Sequence, residues 1–170
     1  GALSVAMVII FDYFLAFAVI GLGGIFRKCI RQQSASLFAG AIFVGILRYL
    51  CHVVSGCTVW AGISIPTKAA IGYSLIYNAT YMIPETLVLA FAAYYIGSVI
   101  DFSGGRLTTL KKETAGPSMR IPHLVSGALI CAAGIFDVVA VFATLQNAET
   151  GEFDITGIAD ANWIAIAAVT

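Results

Sequence analysis

At 170 residues, 60% hydrophobic and only 11% charged, with a mean hydropathy of +0.96, the chain is far more apolar than a soluble domain, where about a quarter of residues are charged. Nine Lys+Arg balance nine Asp+Glu, so no global field recruits nucleic acid, and the composition excludes a disordered segment and a secreted disulfide scaffold. The length suits about five bilayer crossings at roughly 20 apolar residues each, which predicts an all-α, polytopic transmembrane helical bundle in a cell membrane.

Five apolar stretches follow one another: 3–26, 34–63, 69–100, 123–145, and 162 to the end. They are continuous rather than alternating, unlike the ten-residue segments of a membrane barrel, so strands are not expected. Gly and Ser are scattered through them, as where helices approach closely in lipid. Seven of the nine bases fall in two joints: Arg27, Lys28 and Arg31 in the first, Arg106, Lys111, Lys112 and Arg120 in the third. The joint after Leu145 holds Glu149, Glu152, Asp154 and Asp160 with no base. Positive charge is kept on the cytoplasmic side, so 27–33 and 101–121 are placed inside, 63–68 and 146–161 outside. Gly1 opens directly into a span with no basic leader, and the fifth stretch is too short to cross, so the chain is expected to be a fragment of a longer protein.

An ionisable group at membrane depth costs about 2.5–3.5 kcal/mol, so Asp12, Arg48, His52, Glu85 and Asp137 each need a reason. In this topology Asp12, His52, Trp60, Tyr73, Tyr77 and Asn78 all fall in the outer half of the first three spans. His52, Gly56 and Trp60 step by four along one helix face, and Gly56 leaves a gap there in which a flat ring can lie. Asn78 falls about 140° from Tyr73 on an ideal helix, a tension that the sequence leaves open. One carboxylate among aromatic faces suits an organic cation, and Asn and Tyr supply donors and acceptors that orient a heteroaromatic ring.

Structural roles compete with this reading. Trp60 and Tyr73 fit an interfacial aromatic belt, and His52 fits a bond to a neighbouring helix carbonyl. Arg48 is expected to pair with an acid or with carbonyls. Glu85, after Pro84, either pairs with Arg48 or satisfies groups freed by the proline. Asp137 defaults to a helix–helix contact. The acceptor sequence Asn78-Ala79-Thr80 lies at membrane depth, beyond glycosylation. Cys29, Cys51, Cys57 and Cys131 have no metal-site or paired spacing. No Ser/His/Asp spacing points to a nucleophile, so neither an enzyme nor a cofactor is predicted.

The runs Phe11-Asp12-Tyr13-Phe14-Leu15-Ala16-Phe17 and Gly21-Leu22-Gly23-Gly24-Ile25-Phe26-Arg27 resemble the fourth helix of the ThiT family, the thiamine-specific substrate-binding (S) components of energy-coupling factor (ECF) transporters. Arg48-Tyr49-x-x-His52-x-x-Ser55-Gly56-x-x-x-Trp60 and Tyr73-Ser74-Leu75-x-Tyr77-Asn78 resemble later segments of that family, and the likeness covers about residues 3–100. It implies that 1–100 is the C-terminal half of a six-helix core. Residues 101–121 then form a cytoplasmic basic loop, and 122–170 an extra membrane segment, an acidic outside loop and the start of a truncated helix. It further implies thiamine as ligand, captured from outside, with a transmembrane coupling protein and two ATPase subunits as partners. The ligand-binding positions carried over are Asp12, Tyr13, His52, Gly56, Trp60, Tyr73 and Asn78. Asp12 stands where the family often has Glu, one methylene shorter. The rivals are an S component for another small vitamin or a thiamine precursor, and a cation- or proton-coupled carrier using Asp12, His52, Glu85 and Asp137.

Overall fold

The computed structural model describes residues 1–60, 67–104, 106–110, 117–145 and 154–169. Among the described residues, four helical segments are long and apolar enough to cross a membrane: Ala2–Lys28, Gln33–Val59, Ala69–Val99 and Leu124–Thr144. A short helix, Trp163–Val169, falls in the fifth apolar stretch. The protein is an all-α, multi-pass membrane bundle, as its composition demands.

The first span is not a uniform α-helix. It runs as α over Ala2–Val8, widens to π over Ile9–Leu15, returns to α for Ala16–Ala18, and tightens to 3-10 over Val19–Lys28. Gly21, Gly23 and Gly24 lie in the tight stretch, where poor α propensity lowers the cost of departing from α geometry. The second helix, Gln33–Trp60, and the third, Thr67–Val99, are long and unbroken. Pro84 stands inside the third helix, where its ring removes the N–H that the Thr80 carbonyl would accept. The helix continues because exposed backbone is costlier still in lipid.

The first three spans pack antiparallel, and their interfaces are built of small and hydroxyl side chains. Ala16, Ala41, Val44, Val53, Ala70, Met82 and Ala90 are buried together with Ser34, Ser36, Ser55, Ser74 and Asn78. Large apolar side chains such as Phe14, Phe17, Ile46, Leu50 and Ile83 face outward. Lipid is as apolar as leucine, so helices associate through close backbone approach and polar contacts rather than by hiding bulk. A Cβ at Gly40 would run into the Gly23 backbone, which fixes the contact of the first two spans. Nearby, the Phe26 and Phe43 rings meet edge to face at 5.7 Å. The second and third helices meet in a ladder, with Gln33 at Gly97, Gly45 at Thr86, Arg48 at Glu85, His52 at Asn78 and Gly56 at Ser74.

At the far end of this ladder the third helix leads into a small antiparallel bridge, Ile100 opposite Thr109 and Asp101 opposite Thr108. The sequence reading expected no strand; a two-residue strand is too short to carry a period. Gln33 ties this turn to the bundle. Its Nε2 donates to the Gly97 and Ile100 carbonyls at 2.9 and 2.6 Å, and its Oε1 accepts from the Phe102 N–H at 3.1 Å. The fourth helix, Pro117–Thr144, packs on the third, with Gly127 against the Phe91 ring and Gly134 against Leu87. After it, Leu145 is fully buried, and Asp154 caps a 3-10 turn at Ile155–Asp160 by accepting from the Thr156 N–H.

Candidate ligand-binding site

The wide turn of the first span carries Asp12 to the second helix. Asp12 Oδ1 lies 2.9 Å from His52 Nδ1, and Asp12 Oδ2 accepts from Ser55 Oγ at 2.8 Å. His52 and Ser55 are three apart on one helix, so a single carboxylate bridges both from the neighbouring span. The order of contacts is His–Asp–Ser. Ser55 donates to the carboxylate rather than to the imidazole, so the three are not arranged to activate a nucleophile. Both partners stay partly accessible, with side-chain exposures of 26% for Asp12 and 15% for His52. A carboxylate offers about four acceptor positions, so Asp12 can take a further donor or a cation beside these two contacts.

The third helix supplies the opposite wall. Ser74 Oγ donates to the Val53 carbonyl at 2.8 Å, and Asn78 Nδ2 faces the His52 carbonyl at 3.3 Å, the Ser74 carbonyl at 2.7 Å and Ser74 Oγ at 3.0 Å. Three acceptors share the two hydrogens of that amide. Its Oδ1 accepts from the Tyr81 hydroxyl. Asn78 is buried and turned into the helix interface, so its amide holds Tyr81 and ties the third helix to the second. The Tyr81 ring meets His52 edge to face at 6.0 Å and Tyr77 at 6.1 Å, and Tyr77 stacks on Tyr73 at 5.8 Å. The angular separation of Tyr73 and Asn78 shows in their partners. The tyrosines at 73, 77 and 81 form a ladder on one side, while Ser74 and Asn78 look across to the second helix.

The expected gap over Gly56 is filled. A Cβ there would meet Ser74 Oγ, with Asn78 Nδ2 at 3.1 Å, so Gly56 is the point where two helix backbones come together. Tyr13, next to Asp12, is 61% exposed. Trp60 ends the second helix, and its side chain lies outside the described residues. The structure therefore brings Asp12 and His52 into direct contact, joins Asn78 to them through the His52 carbonyl, and links Tyr73 through the tyrosine ladder.

Ser55, Ser74 and Tyr81 had not stood out as site residues in the sequence. The available signal was spacing: Ser74, Asn78 and Tyr81 fall at i, i+4 and i+7, one polar stripe on an otherwise apolar helix. Deeper in the bundle Arg48 pairs with Glu85, the arrangement expected as one of two for Glu85. Beside that pair an apolar crevice of about 280 Å³ opens between Gly45, Tyr49, Ala79, Met82 and Thr86. Tyr49 lines this crevice, and its hydroxyl donates to the Leu75 carbonyl at 2.9 Å. No group of three or more metal-ligating side chains occurs among the described residues.

Residues 2–100 match the model of a family described as thiamine transporter protein. The thiamine transporter ThiT of Bacillus subtilis (strain 168) is 36% identical over 91 residues, covering 48% of this chain and 47% of that relative. The chain thus spans about half the length of the curated relative it matches. No solved structure matches.

Proposed function

Because the chain belongs to the thiamine transporter protein family, we propose that it forms part of a membrane binding component that captures thiamine for uptake. The observation that carries this reading is a partly accessible carboxylate, Asp12, held by His52 and Ser55 at the foot of a tyrosine ladder. A thiazolium cation is attracted by a counter-charge and by aromatic faces together. A neutral vitamin could only donate a hydrogen bond to the carboxylate, and an anionic one would be repelled by it, whereas a cation gains its charge as well. In this proposal Asp12 supplies the charge, Tyr73 and its neighbours the ring faces, and His52 and Ser55 keep the carboxylate in place. Asn78 holds Tyr81, Gly56 sets the helix approach, and Tyr13 and Trp60 complete the wall from the first span and the end of the second helix. The component works by binding rather than by catalysis, and it delivers its cargo with an ECF coupling protein and two ATPase subunits.

The test is intrinsic tryptophan fluorescence of the parent protein, titrated with thiamine and separately with riboflavin. Saturable quenching by thiamine alone is expected. Asp12→Asn and His52→Ala should weaken it by about 10- to 100-fold, the worth of a charge-assisted contact of 1.5–3 kcal/mol. No saturable response to micromolar thiamine sinks the proposal. Uptake by the chain in vesicles lacking ATPases would instead favour the ion-coupled carrier.

A further inference from the structure

A second surface lies at the opposite end of the bundle from Asp12. The last helical turn of the first span carries Arg27 and Lys28 and the joint after it Arg31, all exposed, and the turn after the third span carries Arg106, also exposed. Gln33 brings the two together, because it begins the second helix and binds Gly97, Ile100 and Phe102 on the other segment. The same hairpin exposes three large apolar side chains, Phe102, Leu107 (71% exposed) and Leu110. Its acid, Asp101, is turned back onto the Ser103 N–H and hydroxyl at 2.8 and 2.6 Å, so it is engaged locally. Four bases and three apolar side chains, carried on two segments that Gln33 joins, make this end of the bundle amphipathic.

Depth identifies the occupant. The second helix has 28 residues and spans about 42 Å at 1.5 Å per residue. A bilayer with its headgroups is about 40–45 Å thick, so Gln33 sits at headgroup level. The hairpin leaves the third helix beside it, one residue after Val99. Apolar side chains at that level face the upper acyl region, and bases there face phosphates.

We propose that Arg27, Lys28, Arg31 and Arg106 bind anionic phospholipid headgroups, while Phe102, Leu107 and Leu110 enter the same leaflet. The turn is thus an interfacial anchor for this end of the bundle. It is independent of the ligand at the other end. Charge complementarity favours lipid, since the leaflet on the base-rich side is the anionic one.

The experiment places a reporter at Leu107→Trp in the protein carrying Trp60→Phe and Trp163→Phe, reconstituted in mixed phosphatidylcholine and phosphatidylglycerol vesicles. Bromines are carried by one lipid or by the other. Quenching should be several-fold stronger when the phosphatidylglycerol is brominated, each base enriching anionic lipid by up to about fivefold. Replacing Arg27, Lys28, Arg31 and Arg106 by Gln should bring the two arms level. A second reporter, Leu129→Trp on the exposed surface of the fourth helix, should be quenched equally by both lipids in both backgrounds, which verifies insertion. Equal quenching of the Leu107→Trp reporter by both lipids before the bases are replaced overturns the proposal. So does a reporter that no brominated lipid reaches and aqueous acrylamide does, which would leave the turn open to a protein partner.

Discussion

Gly56→Ala is the sharpest test of how the second and third helices fit. A Cβ at this position meets Ser74 Oγ and lies 3.1 Å from Asn78 Nδ2 and 3.3 Å from Ser74 Cβ. Ser74 cannot yield freely, since its hydroxyl is bonded to the Val53 carbonyl and its carbonyl receives Asn78. Overpacking a tight contact costs about 1–3 kcal/mol, and losing the Ser74–Val53 bond costs about 1 more. Alanine recovers about 1 kcal/mol of helix propensity over glycine, leaving a net loss of about 2 kcal/mol. Ser74→Gly alone should cost about the same, through its hydrogen bonds and its own propensity term. The two together should cost about 3 kcal/mol less than their sum, because glycine at 74 removes the atoms that the new Cβ meets and the Ser74–Val53 bond is lost only once. Reversible unfolding of the parent protein in mixed micelles, run as a double-mutant cycle, reads this coupling directly. Additive losses would refute the packing argument, and so would a Gly56→Ala protein as stable as the wild type.

Three further outcomes follow from contacts elsewhere. Arg48→Met or Glu85→Leu alone should destabilise the protein by about 3 kcal/mol, since each strands a charge at membrane depth; the double variant should recover most of this in the same unfolding assay. Gln33→Ala removes the three bonds that hold the hairpin, and faster hydrogen exchange at amides 97–103 should follow without change at amides 48–56. The Ser103 hydroxyl and N–H hold the Asp101 carboxyl below its ordinary pKa of 3.8. A lowered carboxyl stabilises the turn fully above that value and loses the effect as pH falls through the lowered one. Exchange at the Ser103 amide should therefore open only in acid, and Ser103→Ala should move that opening to higher pH.

The membrane class and the first four spans were legible because apolar run length and charge placement act over twenty residues at a time. The contact between Asp12 and His52 was legible only as a shared depth. Which face of a helix turns toward which neighbour depends on small side chains such as Gly40, Gly56 and Ser74, and no single-helix periodicity reports that rotation. Hence Tyr81, one residue outside the motif that drew attention, emerged only when Asn78 was seen to hold it. Arg48 and Glu85 were easier, since two opposite charges at membrane depth have few other partners. The small β-bridge and the Gln33 clamp were invisible because they rest on two residues and one side chain.

The changing helical pitch of the first span has a mechanical consequence. Its ten-residue 3-10 stretch, Val19–Lys28, is about 20 Å long at 2.0 Å per residue, against about 15 Å for α geometry. It also winds through about 200° more than an α-helix of ten residues. Extension and rotation along this span are therefore coupled, as in a coil spring. Relaxing all ten residues to α geometry would shorten the stretch by about 5 Å and swing the Arg27 end by about 200° relative to Asp12, so the acid that grips His52 is geared to the basic end of its own helix.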